Sequence, residues 1–189
     1  MTHNQSISTK RIVVAALMAA LTVAGSAIRI TVPVELTGTS SFHLGNIMCA
    51  LSGILLGPWL GGLAAGLGSF LYDMTNPMYI SEAWITFLTK GAYGLVPGLI
   101  MLLWKKNWGH VKAGIAALGG ALTYAAMYLF KSYYYGGIIK SGLTHEAALV
   151  AMISKVPATV FNAVVAVIFA PILAVAIRKA LEKNRITLE

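Results

Sequence analysis

Long apolar runs with almost no charge inside them decide what this chain can fold into. The stretches from about 10 to 30, 42 to 56, 60 to 72, 82 to 103, 113 to 135 and 147 to 177 are built mainly from aliphatic, glycine and aromatic residues. A bilayer core about 30 Å thick needs roughly 20 mostly apolar residues per helix, so the chain has room for five or six crossings. Over all 189 residues, 58% are hydrophobic and 11% charged, against about 25% charged in a soluble domain. Inside lipid every backbone polar group must be paired within the protein, and the alternating pattern of a membrane β-barrel is absent. The expected fold is therefore an all-α membrane protein, a six-transmembrane-helix bundle forming one domain over residues 1–189.

The net charge of +8 raises the possibility of a nucleic-acid partner, but no basic run is long enough to track a phosphate backbone. Lys10 and Arg11 precede the first apolar run, Lys105, Lys106 and Lys112 fill a gap in the middle, and Arg178, Lys179, Lys183 and Arg185 follow the last. With six crossings these segments share one side, and the positive-inside rule makes it cytoplasmic for both termini. The basic start and the small residues Gly25-Ser26-Ala27 imitate a cleavable signal peptide. The apolar run nevertheless continues through Ile28, and removal would leave five helices with a poorer charge balance.

Between the runs, Thr31–Ser41 is expected to be an external loop, with Arg29 snorkelling to the outer interface. Gly57-Pro58-Trp59 joins the second and third crossings in a tight antiparallel pair, and Gly136-Gly137 closes the fifth. The last run exceeds one span. It is either a tilted helix or a short external helix broken at Pro157. Small residues recur four apart at Gly53/Gly57, Gly62/Gly66 and Gly94/Gly98, and on the first helix at Ala15/Ala19 and Ala16/Ala20. Such pairs let helices approach closely, either within the bundle or, for the alanines beside the cytoplasmic end, against a second protein.

Lysines inside the apolar runs constrain function. At the bilayer centre each costs about 2.5–3.5 kcal/mol on the insertion scale, so Lys90, Lys131 and Lys155 together would cost on the order of 8–10 kcal/mol if central and lipid-facing. Helical spacing places Tyr124, Tyr128, Lys131 and Tyr135 on one stripe, Trp84, Phe87, Lys90 and Gly94 on a second, and Lys155, Thr159 and Asn162 on a third. All three lysines fall in the outer half. The faces suit either a pocket for a small polar aromatic molecule or an interfacial aromatic belt whose lysines pair with Asp73, Glu82 or Glu146. The pocket reading singles out Trp84, Lys90, Tyr128, Lys131, Tyr135, Lys155 and Asn162 as substrate-binding residues.

No phosphate loop, nucleophile elbow or metal-ligand spacing occurs, so neither catalysis nor a resident cofactor is expected. His3, His43, His110 and His145 are scattered and expected at interfaces or in loops, and Cys49 is a lone cysteine in an apolar stretch.

Three segments carry a resemblance: FHLGNIMCALSGILLGPWLGGLAAGLGSFLYDM (Phe42 to Met74), FLTKGAYGLVPGLI (Phe87 to Ile100) and KVPATVFNAVVAVIFAPIL (Lys155 to Leu173). They resemble the S components of energy-coupling factor (ECF) vitamin transporters, and most of all the HmpT-type subunits assigned to hydroxymethylpyrimidine or pyridoxine. The resemblance implies a six-helix subunit of the bacterial cell membrane that binds a vitamin at its outer side, under the loop joining helices one and two. It also implies partners, namely a transmembrane coupling subunit and two ATP-binding cassette ATPases, docked through an AxxxA pattern that maps onto Ala15 and Ala19 or onto Ala16 and Ala20. Other readings left open are a stand-alone facilitator or channel and an S component for another vitamin such as riboflavin or pantothenate.

Overall fold

A computed structural model describes residues 8–34, 38–104 and 108–184. His3, Glu35, Lys105, Lys106 and Arg185 lie outside the described residues. Helix α1 (Thr9–Ala27) leads into an antiparallel hairpin of β1 (Arg29–Val34) and β2 (Gly38–His43), followed by α2 (Gly45–Leu56) and α3 (Pro58–Met74). A 3-10 turn (Ile80–Glu82) opens α4 (Ala83–Leu102); α5 (His110–Lys131) continues directly into a π-helical stretch (Ser132–Lys140), and α6 (His145–Ile153) and α7 (Val156–Lys183) complete the chain. Four stretches are helical, long and apolar enough to cross a membrane: Thr9–Ala27, Ile80–Leu102, His110–Lys140 and His145–Lys183. The chain is thus a mostly helical multi-pass membrane protein.

Large apolar side chains on the outside of this bundle, among them Ile12, Leu17, Leu67, Leu88, Leu122, Phe161 and Ile168, are about half exposed or more. That suits a surface solvated by lipid. Helix α2 is different: every residue in it except Met48 and Leu55 is buried, and α1, α3, α4, α5 and α7 surround it. Its 12 residues make only about 18 Å of helix, so it is a shielded central element.

Glycine makes this crowding possible. At Gly57, φ is +81°, a backbone conformation that disfavours any side chain, and Pro58 then starts α3 at a position where its missing N–H costs nothing. A Cβ added to Gly53 would lie 2.0 Å from the Gly94 carbonyl oxygen. Gly53, Gly94 and Gly98 therefore serve packing inside the bundle, whereas Gly57 serves the turn.

Two sequence expectations are corrected, and a third segment takes one of the two forms left open for it. Residues 31–34 and 38–41 belong to a β-hairpin rather than a loop: Arg29 pairs with His43, Thr31 with Ser41 and Pro33 with Thr39. Ile30, Val32 and Val34 alternate along β1 in strand fashion, and Pro33 is tolerated because a two-stranded ribbon consists of edges. Gly136-Gly137 does not close the fifth helix, because a π-helix carries the chain on to Lys140. The run from 147 to 177 is two helices, and the break falls at Ser154–Lys155, with Pro157 in the first turn of α7.

The helix ends sort the charges. Arg11 donates from Nη2 to the Leu56 carbonyl at 2.7 Å, and Arg178 donates from Nη1 to the Trp108 carbonyl at 2.9 Å. Gly98, near the end of α4, packs against Pro58. The start of α1, the α2–α3 corner, the α4–α5 connection and the end of α7 thus lie at one end of the bundle, and the hairpin lies at the other.

Candidate functional site

Beneath the hairpin, the ends of α1, α3, α4, α5 and α7 enclose a cavity of about 330 Å³, at the small end of the range usual for ligand sites. Its roof is β2, a run of small polar residues (Gly38-Thr39-Ser40-Ser41) that leaves room below. The roof is fastened from α7. Asn162 Oδ1 accepts from the His43 backbone N–H at 3.0 Å, and Asn162 Nδ2 donates to the Ser41 carbonyl at 2.8 Å. One buried amide therefore satisfies the free edge of the strand as a third strand would.

One wall is aromatic. Tyr93, Tyr124 and Tyr128 form a stacked column with ring centroids 5.3 and 5.6 Å apart, and Tyr124 and Tyr128 face the cavity. Lys90, 5% exposed, donates to Asn46 Oδ1 and lies 3.9 Å from the Tyr124 ring centroid. These contacts explain how α4 tolerates a cation within an apolar helix: an amide oxygen and a ring face replace part of its hydration.

Five cationic side chains line the cavity (Arg29, Lys90, Lys131, Lys140 and Lys155) against two carboxylates, Asp73 and Glu82. Glu82 pairs with Lys131 through Oε2 and with Lys140 through Oε1, the latter at 2.7 Å. Arg29 donates from Nε to the Ser26 carbonyl at 2.8 Å, and its guanidinium lies 4.3 Å from the Tyr72 ring centroid and 5.0 Å from that of Tyr79. It lines the cavity rather than snorkelling to the interface. His43 also lines the site, and its Nδ1 is enclosed without a hydrogen-bond partner. Burial, followed by the positive charges of Lys90 and Arg29, holds this ring well below the usual histidine range, so it is neutral at pH 7. Among the described residues no cluster of His, Cys, Asp and Glu is suited to hold a metal.

The structure brings Lys90, Tyr128, Lys131, Lys155 and Asn162 to this one cavity. Trp84 and Tyr135 are not among its lining residues; Trp84 is 56% exposed, and the two rings meet edge-to-face at 6.3 Å outside it. That is the interfacial aromatic alternative. Sequence reasoning missed Arg29, His43, Asp73 and Glu82 as lining residues. Their polarity within or beside apolar helices was a usable signal, but no helical period links them to the lysine stripes.

On α1 the two alanine registers separate. Ala15 and Ala19 pack against the core, with the Ala19 carbonyl against Gly68 of α3, whereas Ala16 and Ala20 are exposed on the same outward face as Ile12, Leu17 and Ala24.

A protein-family model, described as ECF-type riboflavin transporter, S component, matches residues 6–179. The chain belongs to that family. Members of this ECF S-component family are parts of a transporter and not enzymes, which agrees with a polar cavity open to one end of a membrane bundle. An uncharacterized protein in a gap 3′ region of Pyrococcus woesei is 35% identical over 101 residues, or 53% of this chain. The matched region spans 64% of that relative's length.

Proposed function

We propose that this S component captures a vitamin or vitamin precursor in the cavity beneath the hairpin and hands it to partner subunits for ATP-driven uptake. The observation that carries this reading is the position of the cavity. Its lysines and tyrosines lie toward one end of the bundle, and among the described residues close glycine and alanine contacts pack around α2 below it. A binding subunit needs such a blind cavity, whereas a channel needs a continuous path.

The substrate is a small hydroxylated aromatic heterocycle of the pyridoxine or hydroxymethylpyrimidine kind, as in the HmpT-type subunits. The tyrosine wall supports this, since ring stacking contributes roughly 0.5–1.5 kcal/mol beyond area burial, and the many hydroxyl and ammonium donors suit ring nitrogens and hydroxyl oxygens. The partners are a transmembrane coupling subunit and two ATP-binding cassette ATPases. The subunit sits in the bacterial cell membrane with six crossings, α2 and α3 being the short ones. Both termini and the basic 105–112 segment are cytoplasmic, which puts the hairpin outside.

Reconstitution tests the reading. Vesicles holding this chain with a coupling subunit and ATPases are expected to take up the vitamin only with ATP. Equal uptake by the chain alone would identify a facilitator instead. Labelling of a cysteine placed at Lys106 from outside would invert the topology.

A further inference from the structure

We propose that the ligand of this cavity carries a net negative charge, and that its oxyanion, a carboxylate or a phosphate, binds Lys155 at the N-terminus of α7. This rests on the reading of the cavity as the substrate site and narrows the heterocycle proposed above to a carboxylated or phosphorylated form.

The argument begins with unequal partners. Lys131 and Lys140 share Glu82, Lys90 has Asn46 and the Tyr124 ring, and Arg29 has the Ser26 carbonyl and two tyrosine rings. Lys155 is 8% exposed and lines the cavity, yet its ammonium makes no hydrogen bond or salt bridge among the described residues, and Glu82, already shared by Lys131 and Lys140, acts on it only at longer range. An ammonium placed in a cavity wall with no carboxylate of its own is suited to a charge-assisted hydrogen bond from a ligand oxyanion.

A second feature points to the same place. Lys155 is the residue that caps α7, a helix of 28 residues with no acidic side chain in its first turn. The first-turn residues Ala158 and Thr159 line the cavity with it. The partial positive charge of a helix N-terminus favours anions. Here that end and an unpaired ammonium meet in one cavity whose five cations outnumber its two carboxylates. A neutral heterocycle would leave the excess uncompensated.

Calorimetric titration of the purified full chain with ring-matched probes tests this: pyridoxine against 4-pyridoxate and pyridoxine 5′-phosphate, nicotinamide against nicotinate, and riboflavin against flavin mononucleotide. At least one acidic probe is expected to bind ten-fold or more tightly than its neutral counterpart. Lys155→Met should erase that advantage, and Lys155→Arg should retain it, with gel filtration confirming that both variants fold. The carboxylate and phosphate arms identify which oxyanion is used. Neutral probes binding as tightly as their acids, an advantage that survives Lys155→Met, or no binding by any acidic probe would each overturn the proposal. If neutral vitamins bind tightly and are taken up with ATP, the charge inference fails while the transport reading stands. Acid-selective binding without ATP-dependent uptake in the reconstituted complex would do the reverse.

Discussion

Asn162 is expected to act on the ligand through the hairpin, because both ends of its amide are already committed to the backbone of β2. Asn162→Ala removes two hydrogen bonds and leaves the His43 N–H and the Ser41 carbonyl unsatisfied, at about 1–3 kcal/mol for each group left buried. Ligand affinity should fall by more than ten-fold, and amide exchange at His43 should accelerate with it. Asn162→Asp keeps the acceptor for His43 and loses the donor to Ser41, so it should fall between. Weakened binding with unchanged exchange in β2 would instead make Asn162 a direct ligand contact. At this scale the sequence was informative about one property, the shared helical face. Periodicity placed Tyr128 with Lys131, Lys155 with Asn162, and Lys90 on three helical faces, and the pocket reading joined them. Glu82 was among the carboxylates named as possible lysine partners, but the choice of Lys131 across 49 residues, and Asn46 as the partner of Lys90 across 44, are not encoded in any local period.

Elements built from helical repeats were the legible ones, and those whose local chemistry is ambiguous were not. Residues 31–41 carry both turn residues and β-branched alternation, and it is the roof contact with α7 that decides for the hairpin. The π-helix defeats a reading of Gly136-Gly137 as a stop, because Gly137 instead lets the wall pass close to Ala148 of α6, where a Cβ would lie 2.8 Å from the alanine methyl. Helix α2 can be short because its neighbours shield it, and close glycine contacts are what bring them near. Gly53→Ala should therefore destabilise the fold by about 1–3 kcal/mol, since its Cβ would meet the backbone of Gly94, which has little freedom to move. Gly114→Ala is the control. Its nearest neighbour is Pro171 Cγ at 3.9 Å, and replacing a helical glycine there should be neutral or stabilising by about 0.5–1 kcal/mol. Chemical denaturation of both variants in detergent checks the pair; equal behaviour would mean that α2 and α4 are not in close contact.

At the scale of the whole molecule, one end holds the start of α1 and the end of α7 with Arg11 and Arg178, and the other holds the cavity, so the proposed binding and coupling functions belong to different surfaces. Helix α1 runs between those ends, with its inner face on α3 and its outer face open. Sequence spacing alone left two alanine registers for a partner. Burial separates them: Ala15 and Ala19 are committed to the core, while Ala16, Ala20 and Ala24 form a shallow track on the exposed side. A partner helix approaches most closely where side chains are smallest, so the exposed register is the one expected to dock. Ala16→Trp together with Ala20→Trp should abolish ATP-dependent uptake and co-purification with the coupling subunit, and leave calorimetric ligand affinity within about two-fold, since neither residue lines the cavity. Ala15→Trp with Ala19→Trp should fail earlier, by overpacking against α3 and unfolding the isolated subunit. Full assembly and uptake by the Ala16/Ala20 double variant would move the docking face away from α1 altogether.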